Sequence, residues 1–119
     1  RPVLSAEELR RAQEAVEAVG FADKLLDYVM EIVQRTRGSR ALVLGVSPRG
    51  AQGFFRAGQA HALVAGRPFA TPDDVKKVAP AVLAHRILAS ATGRYEGTGA
   101  GRREREAVRK ILEEVAVPL

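Results

Sequence analysis

Apolar residues recur along the chain at three- and four-residue intervals, and each such stretch opens on a recognisable start signal. Ser5-Ala6-Glu7-Glu8 is a capping box: the Ser5 hydroxyl can accept from the third amide of a helix while Glu8 reaches back to the Ser5 amide. Leu9, Ala12, Val16 and Val19 follow at helical spacing, predicting a first helix over about 5–18 that ends near Gly20. Leu25, Leu26, Val29, Ile32 and Val33 predict a second helix over roughly 22–37, with Arg35 and Arg37 at its basic end and Gly38 beyond. Residues 39–46 form a connector with room for a short extended segment.

Ser47-Pro48 then supplies an N-cap followed by Pro at the first helical position, where the missing N–H costs nothing. The third helix is expected from Pro48 to about Val64, with Gly66 as its stop. Thr71-Pro72-Asp73-Asp74 repeats the signal, and its acids favour the positive helix end. The fourth helix carries Val75 and Val78. Pro80 predicts a break and a short new helix at about 80–85. Arg86-Ile87-Leu88-Ala89 suits extended backbone, and four glycines between Gly93 and Gly101 read as a mobile loop. A last amphipathic helix over 102–114 is expected to bury Val108, Ile111, Leu112 and Val115. The pattern describes an all-α small helical bundle with room for a very short two-stranded β ribbon between 69–70 and 87–88. A single domain of 119 residues is the natural size, divided into a core over 5–90, a Gly-rich loop over 91–101 and a C-terminal helix over 102–115.

Composition sharpens this picture. Aromatic residues make up only 5% of the chain and there is no Trp, so the core rests on Leu, Val, Ile and Ala, which favours helices over a sandwich. The absence of Cys excludes disulfides and zinc–thiolate sites and fits a reducing, cytoplasmic setting. No apolar run approaches ~18 residues, so no membrane span is expected. The chain opens Arg1-Pro2-Val3 without Met, which reads as a piece of a longer protein or a processed product. The formal charge of +5 is spread, with 9 basic and 7 acidic residues in 1–60 and 10 and 7 in 61–119. Signs alternate along the predicted faces, the pattern of a solvated surface. His61 and His85 lie far apart, with no acid at metal-ligand spacing, so no metal site is indicated.

Three phrases in order carry a family resemblance. They are Val46-Ser47-Pro48-Arg49-Gly50-Ala51, then Gly66-Arg67-Pro68-Phe69-Ala70-Thr71-Pro72-Asp73-Asp74-Val75, then Ala79-Pro80-Ala81-Val82-Leu83-Ala84-His85-Arg86. Together they resemble the lid of MoxR-type AAA+ ATPases. Pro2-Val3-Leu4-Ser5, Leu26-Asp27-Tyr28-Val29 and Thr36-Arg37 are similar to the same family, so the likeness spans about 2–90. The resemblance implies a chaperone-like ATPase assembled as a hexameric ring, with ATP held between a large α/β domain and this lid. It also implies contacts with the upstream AAA+ core, with neighbouring subunits and with proteins carrying a von Willebrand factor A domain.

In that family's terms Arg49 matches the sensor-2 arginine, which reaches toward the ATP phosphates and so carries the catalytic and nucleotide-contacting assignment. Ser47 is chiefly a helix cap, also placed near phosphate. The physics agrees with the assignment of Arg49, because the second helical position puts its guanidinium with the free amides of a helix N-terminus. A planar, permanently charged fork suits phosphate oxygens. Arg37 and Arg40 would extend this basic surface. The chain departs from the pattern at Val46 and Gly50, where small Ala-like residues are expected. It holds no G-x-x-x-x-G-K-[ST] phosphate loop and no strand ending in an acidic pair for magnesium, so hydrolysis by this chain alone is not expected. Magnesium would be bound by the core domain. The competing reading is a small basic helical module that binds nucleic acid or another protein. Against it, no helix-turn-helix signature stands out and stacking aromatics are scarce.

Overall fold

The structure is a computed structural model and describes residues 1–90 and 101–118. The Gly-rich segment expected as a loop lies, apart from Gly101, outside the described residues. The elements run α1 (Ala6–Val16), α2 (Asp23–Gly38), β1 (Leu42–Leu44), α3 (Pro48–Val64), α4 (Pro72–Leu83), a 3-10 turn (Ala84–Arg86), β2 (Leu88–Ala89) and α5 (Arg102–Glu114). The all-α expectation with a short ribbon is met.

The helix starts follow the local chemistry. Ser5 and Glu8 close a reciprocal capping box on α1, and at the start of α4 the Asp74 carboxylate accepts from the Thr71 amide. At the end of α3, Gly66 adopts a left-handed φ of 82°, which frees the Arg67 amide to reach back to the Ala62 carbonyl at 2.9 Å.

One buried cluster joins Leu25, Ile32 and Val33 of α2 to Phe54 of α3, Val75, Ala79 and Leu83 of α4, and Val108 and Ile111 of α5. Leu112 only packs against its margin. Of the two neighbouring leucines on α2, Leu25 is buried and Leu26 faces outward, as a 100° step requires. The apolar spacing on α1 buries none of its residues; Val19, just past its end, enters the core.

Two expectations need correction. Pro80 does not break α4, which runs through it to Leu83, and the Ala84 amide bonds back to the Pro80 carbonyl. Val75, Ala79 and Leu83 recur at four-residue intervals on one face, each at most 1% exposed. Burying such side chains is worth about 1.5–3 kcal/mol for each of the two larger ones, which offsets the roughly 3 kcal/mol cost of an interior proline. The ribbon also has a different partner. Antiparallel to β2 lies β1, with Leu42 opposite Ala89 and Leu44 opposite Leu88. Phe69 forms an isolated parallel bridge with Gly20, held by Gly20 N–H to Pro68 O and Ala70 N–H to Gly20 O, both 2.8 Å. No helix among the described residues is long and apolar enough to cross a membrane.

Candidate functional site

The start of α3 is fixed by the connector before it. Gly45 passes so close to the last turn of α2 that a Cβ there would stand 2.7 Å from the Arg37 Cα and 2.8 Å from the Arg37 amide nitrogen. Only glycine permits that backbone approach. The buried Thr36 hydroxyl donates to the Val33 carbonyl at 2.6 Å and accepts from the Val46 amide at 3.0 Å. Arg37 Nε donates to the Val46 carbonyl at 2.9 Å. Both polar groups of the Val46 backbone are therefore tied to α2, and Val46 itself is 1% exposed. The phrase Thr36-Arg37 is thus a clamp on the phrase that begins at Val46.

From this anchor Ser47 caps α3, its Oγ accepting from the Gly50 amide at 3.0 Å, while the Ala51 amide bonds to the Ser47 carbonyl at 2.9 Å. The free amides expected at this helix end are therefore few. Pro48 has none, those of Gly50 and Ala51 are taken, and those of Ser47 and Arg49 lack a partner among the described residues. Ser47 is engaged as a cap but keeps its hydroxyl proton for donation.

Arg49 is exposed and makes no ion pair or hydrogen bond among the described residues. Several other arginines do find carboxylates: Arg10 with Glu7 and Glu14, Arg35 with Glu31 and Glu114, Arg67 with Asp74, and Arg109 with Glu106 and Glu113. Beside the α3 start lies an open cavity of about 510 Å³ lined by Arg37, Ser47 and Arg86 together with the apolar Val43 and Leu44. Arg49 and Arg40 are exposed and do not line it. Among the described residues the cavity offers hydrogen-bond donors and positive charge but no side-chain carboxylate. That donor set fits phosphate oxygens and does not supply ligands for magnesium.

The third phrase also delivers a residue here that sequence reasoning did not assign. A Cβ at Gly50 would lie 3.2 Å from Arg86 Cδ, and one at Gly53 would lie 3.8 Å from a terminal nitrogen of the same side chain. Arg86, from the 3-10 turn, therefore runs along the bare strip that Gly50 and Gly53 leave on α3. Two glycines three residues apart in a helix were the available signal.

The second phrase works at the opposite end of α3. Asp74 is fully buried and accepts from Arg67 at 2.6 and 2.5 Å, from the Thr71 amide at 2.7 Å and from the Thr71 hydroxyl at 3.0 Å. His61 Nδ1 lies 2.6 Å from its Oδ1 and, facing a carboxylate, acts as the donor. The Arg67 guanidinium above all, then His61 and Thr71, holds the Asp74 carboxyl well below the usual carboxylate range despite its burial. His61 is thereby a link between α3 and α4, not part of the α3 start.

Comparison with known proteins identifies the family. The family model for the AAA lid domain matches residues 34–111, from the last turn of α2 into α5, and the chain belongs to that family. Within it, the chain is a lid of the MoxR type. It is 37% identical over 118 residues to the uncharacterised protein YeaC of Bacillus subtilis (strain 168), covering 99% of this chain and 36% of that protein. It is 31% identical over 127 residues to the chaperone MoxR1 of Mycobacterium tuberculosis, covering 99% and 33%. The chain thus spans about a third of the length of these curated relatives. The crystal structure of a candidate ATPase from Cytophaga hutchinsonii superposes with a TM-score of 0.83 at 23% identity, over all of this chain and 38% of that one, which establishes the shared fold.

Proposed function

We propose that the chain serves as the mobile lid of a chaperone-like remodelling ATPase and contributes Arg49 as the sensor-2 arginine of its ATP site. The observation that carries this reading is the state of Arg49. A guanidinium mounted on a rigidly anchored helix start, exposed and without a partner among the described residues of its own domain, is matched to an anion from outside. The relatives run to nearly three times this chain's length, which leaves room for the α/β core that would carry the phosphate loop and bind magnesium. ATP bound between that core and the lid would meet Arg49 through its terminal phosphates, and Ser47 would hold the helix end in place. In the transition state the phosphoryl oxygens carry the charge that a preorganised guanidinium stabilises. As the family's pattern implies, the parent would work in the cytoplasm as a hexameric ring, the lid contacting its own core and a neighbouring subunit. Proteins with a von Willebrand factor A domain would be its partners.

The test is Arg49→Ala in the full-length ATPase, with turnover measured beside the circular-dichroism melt of the variant. We expect an unchanged melt and a loss of at least about tenfold in turnover, the scale of one charge-assisted contact made in the transition state. Wild-type turnover in that variant would remove Arg49 from the site.

A further inference from the structure

We infer that Arg86 is a second phosphate-contacting arginine, aimed at the same polyphosphate as Arg49. This rests on the reading of Arg49 above and extends it to a residue brought in from 37 positions along the chain by the fold.

The geometry is specific to this side chain. Its aliphatic stem crosses α3 at Gly50 and its guanidinium reaches Gly53, where a methyl would already sit 3.8 Å from a terminal nitrogen. Gly53 lies four residues after Arg49, so the two positions are neighbours on one helix face, about 5–6 Å apart at the level of Cβ. Arg86 thus ends beside the row from which Arg49 projects. Arg37 and Arg86 line the same cavity next to Ser47, and Arg37 is held there by its bond to the Val46 carbonyl. Among the described residues Arg86, like Arg49, has no carboxylate or carbonyl partner.

Arg37 and Arg86 line the cavity, Arg49 projects from the adjoining row of α3, and among the described residues no side-chain carboxylate lines the cavity to balance these like charges. Such an arrangement is favourable once a multivalent anion bridges it. Planar forks brought to one side of α3 from three elements suit successive phosphoryl groups, each accepting two parallel N–H bonds. The chemical class is therefore a triphosphate tail and not a lone carboxylate, which would answer only one of the three charges.

The experiment measures affinity of the full-length ATPase for ATPγS in wild type, Arg86→Met, Arg86→Lys and Arg49→Ala. Met retains most of the stem over Gly50 and removes the charge. We expect Arg86→Met to weaken binding about tenfold, the scale of one charge-assisted contact. Lys should restore part of the loss as a point charge without the fork. Unaltered affinity in Arg86→Met, with Arg49→Ala still impaired, would overturn the inference and leave the proposed function standing. Impairment in Arg86→Met alone would keep Arg86 and remove Arg49. If neither variant changes, both assignments fall. Limited proteolysis of nucleotide-free Arg86→Met separates a packing role, because greater cleavage before any ligand is added would overturn phosphate contact as the cause.

Discussion

Replacing Gly50 by Ala would place a new methyl 2.9 Å from Val46 Cγ1 and 3.2 Å from Arg86 Cδ. Carbon atoms in contact prefer about 3.5–4.0 Å, so something must move. Arg86 can yield at the far end of a flexible chain. Val46 cannot do so cheaply: it is β-branched, with few χ1 choices, and 1% exposed, with its backbone tied at both ends to α2. Overpacking of this kind costs about 1–3 kcal/mol, while Ala gains up to about 1 kcal/mol over Gly in helix propensity. The net expectation for Gly50→Ala is a loss of roughly 1 kcal/mol. Val46→Ala alone removes buried methyl groups and leaves a cavity, for about 2–3 kcal/mol. In the double variant the methyl introduced by Gly50→Ala occupies part of that cavity, so the combined loss should fall short of the sum by about 1–2 kcal/mol. Urea denaturation of the four proteins, compared at equal m-value, measures the cycle. Losses that add to within about 0.5 kcal/mol would refute the shared space. The two departures from the family's expected small residues would then be unrelated, whereas the geometry makes each the compensation for the other.

Further expectations concern the two ends of α3. Gly45→Ala should be far more damaging than Gly38→Ala, because a Cβ at Gly45 meets backbone at 2.7 Å and one at Gly38 meets nothing within 4 Å; thermal melts of the two variants check the order, and equal melting temperatures would contradict it. Asp74 has a folded-state pKa depressed below its ordinary 3.8, so its contribution is complete above about pH 4 and is lost as pH falls toward the depressed value. Asp74→Asn should therefore lower stability by about 2–3 kcal/mol at pH 7, less than a fully buried pair because Arg67 and His61 are each about a third exposed. The same variant should flatten the stability profile between about pH 4 and pH 2, and a profile as steep as wild type would show that another acid governs it.

Much of the helical frame was legible because helix starts are local chemistry. Ser5 with Glu8, Ser47 with Pro48 and Thr71 with Pro72 each announce a start within four residues, and each stands where expected. Pro80 misled because the local rule weighs one lost bond and one clash, while the decision rested on the buried face of Val75, Ala79 and Leu83. The extended run at 86–89 was visible, but its partner was not: β1 and Phe69 both offer extended backbone, and only the packed helices choose between them. Within the candidate site, Arg49 and Ser47 stood out as members of one short phrase. Arg86 did not, since its placement depends on glycines 33 and 36 residues earlier leaving α3 bare. The Asp74 network was half visible, as a capping acid, but its links to His61 and Arg67 cross from one helix to another.

The bonds at either extremity of α3 have a mechanical consequence. Its beginning is fastened to α2 through Thr36 and Arg37, and its last turn to α4 through His61 and the fully buried Asp74 carboxylate. Arg49 consequently has no independent travel beyond the swing of its own side chain. Any displacement that brings it toward or away from an anion must carry three helices together, like a handle turning with its door, and the pivot has to lie outside that braced unit.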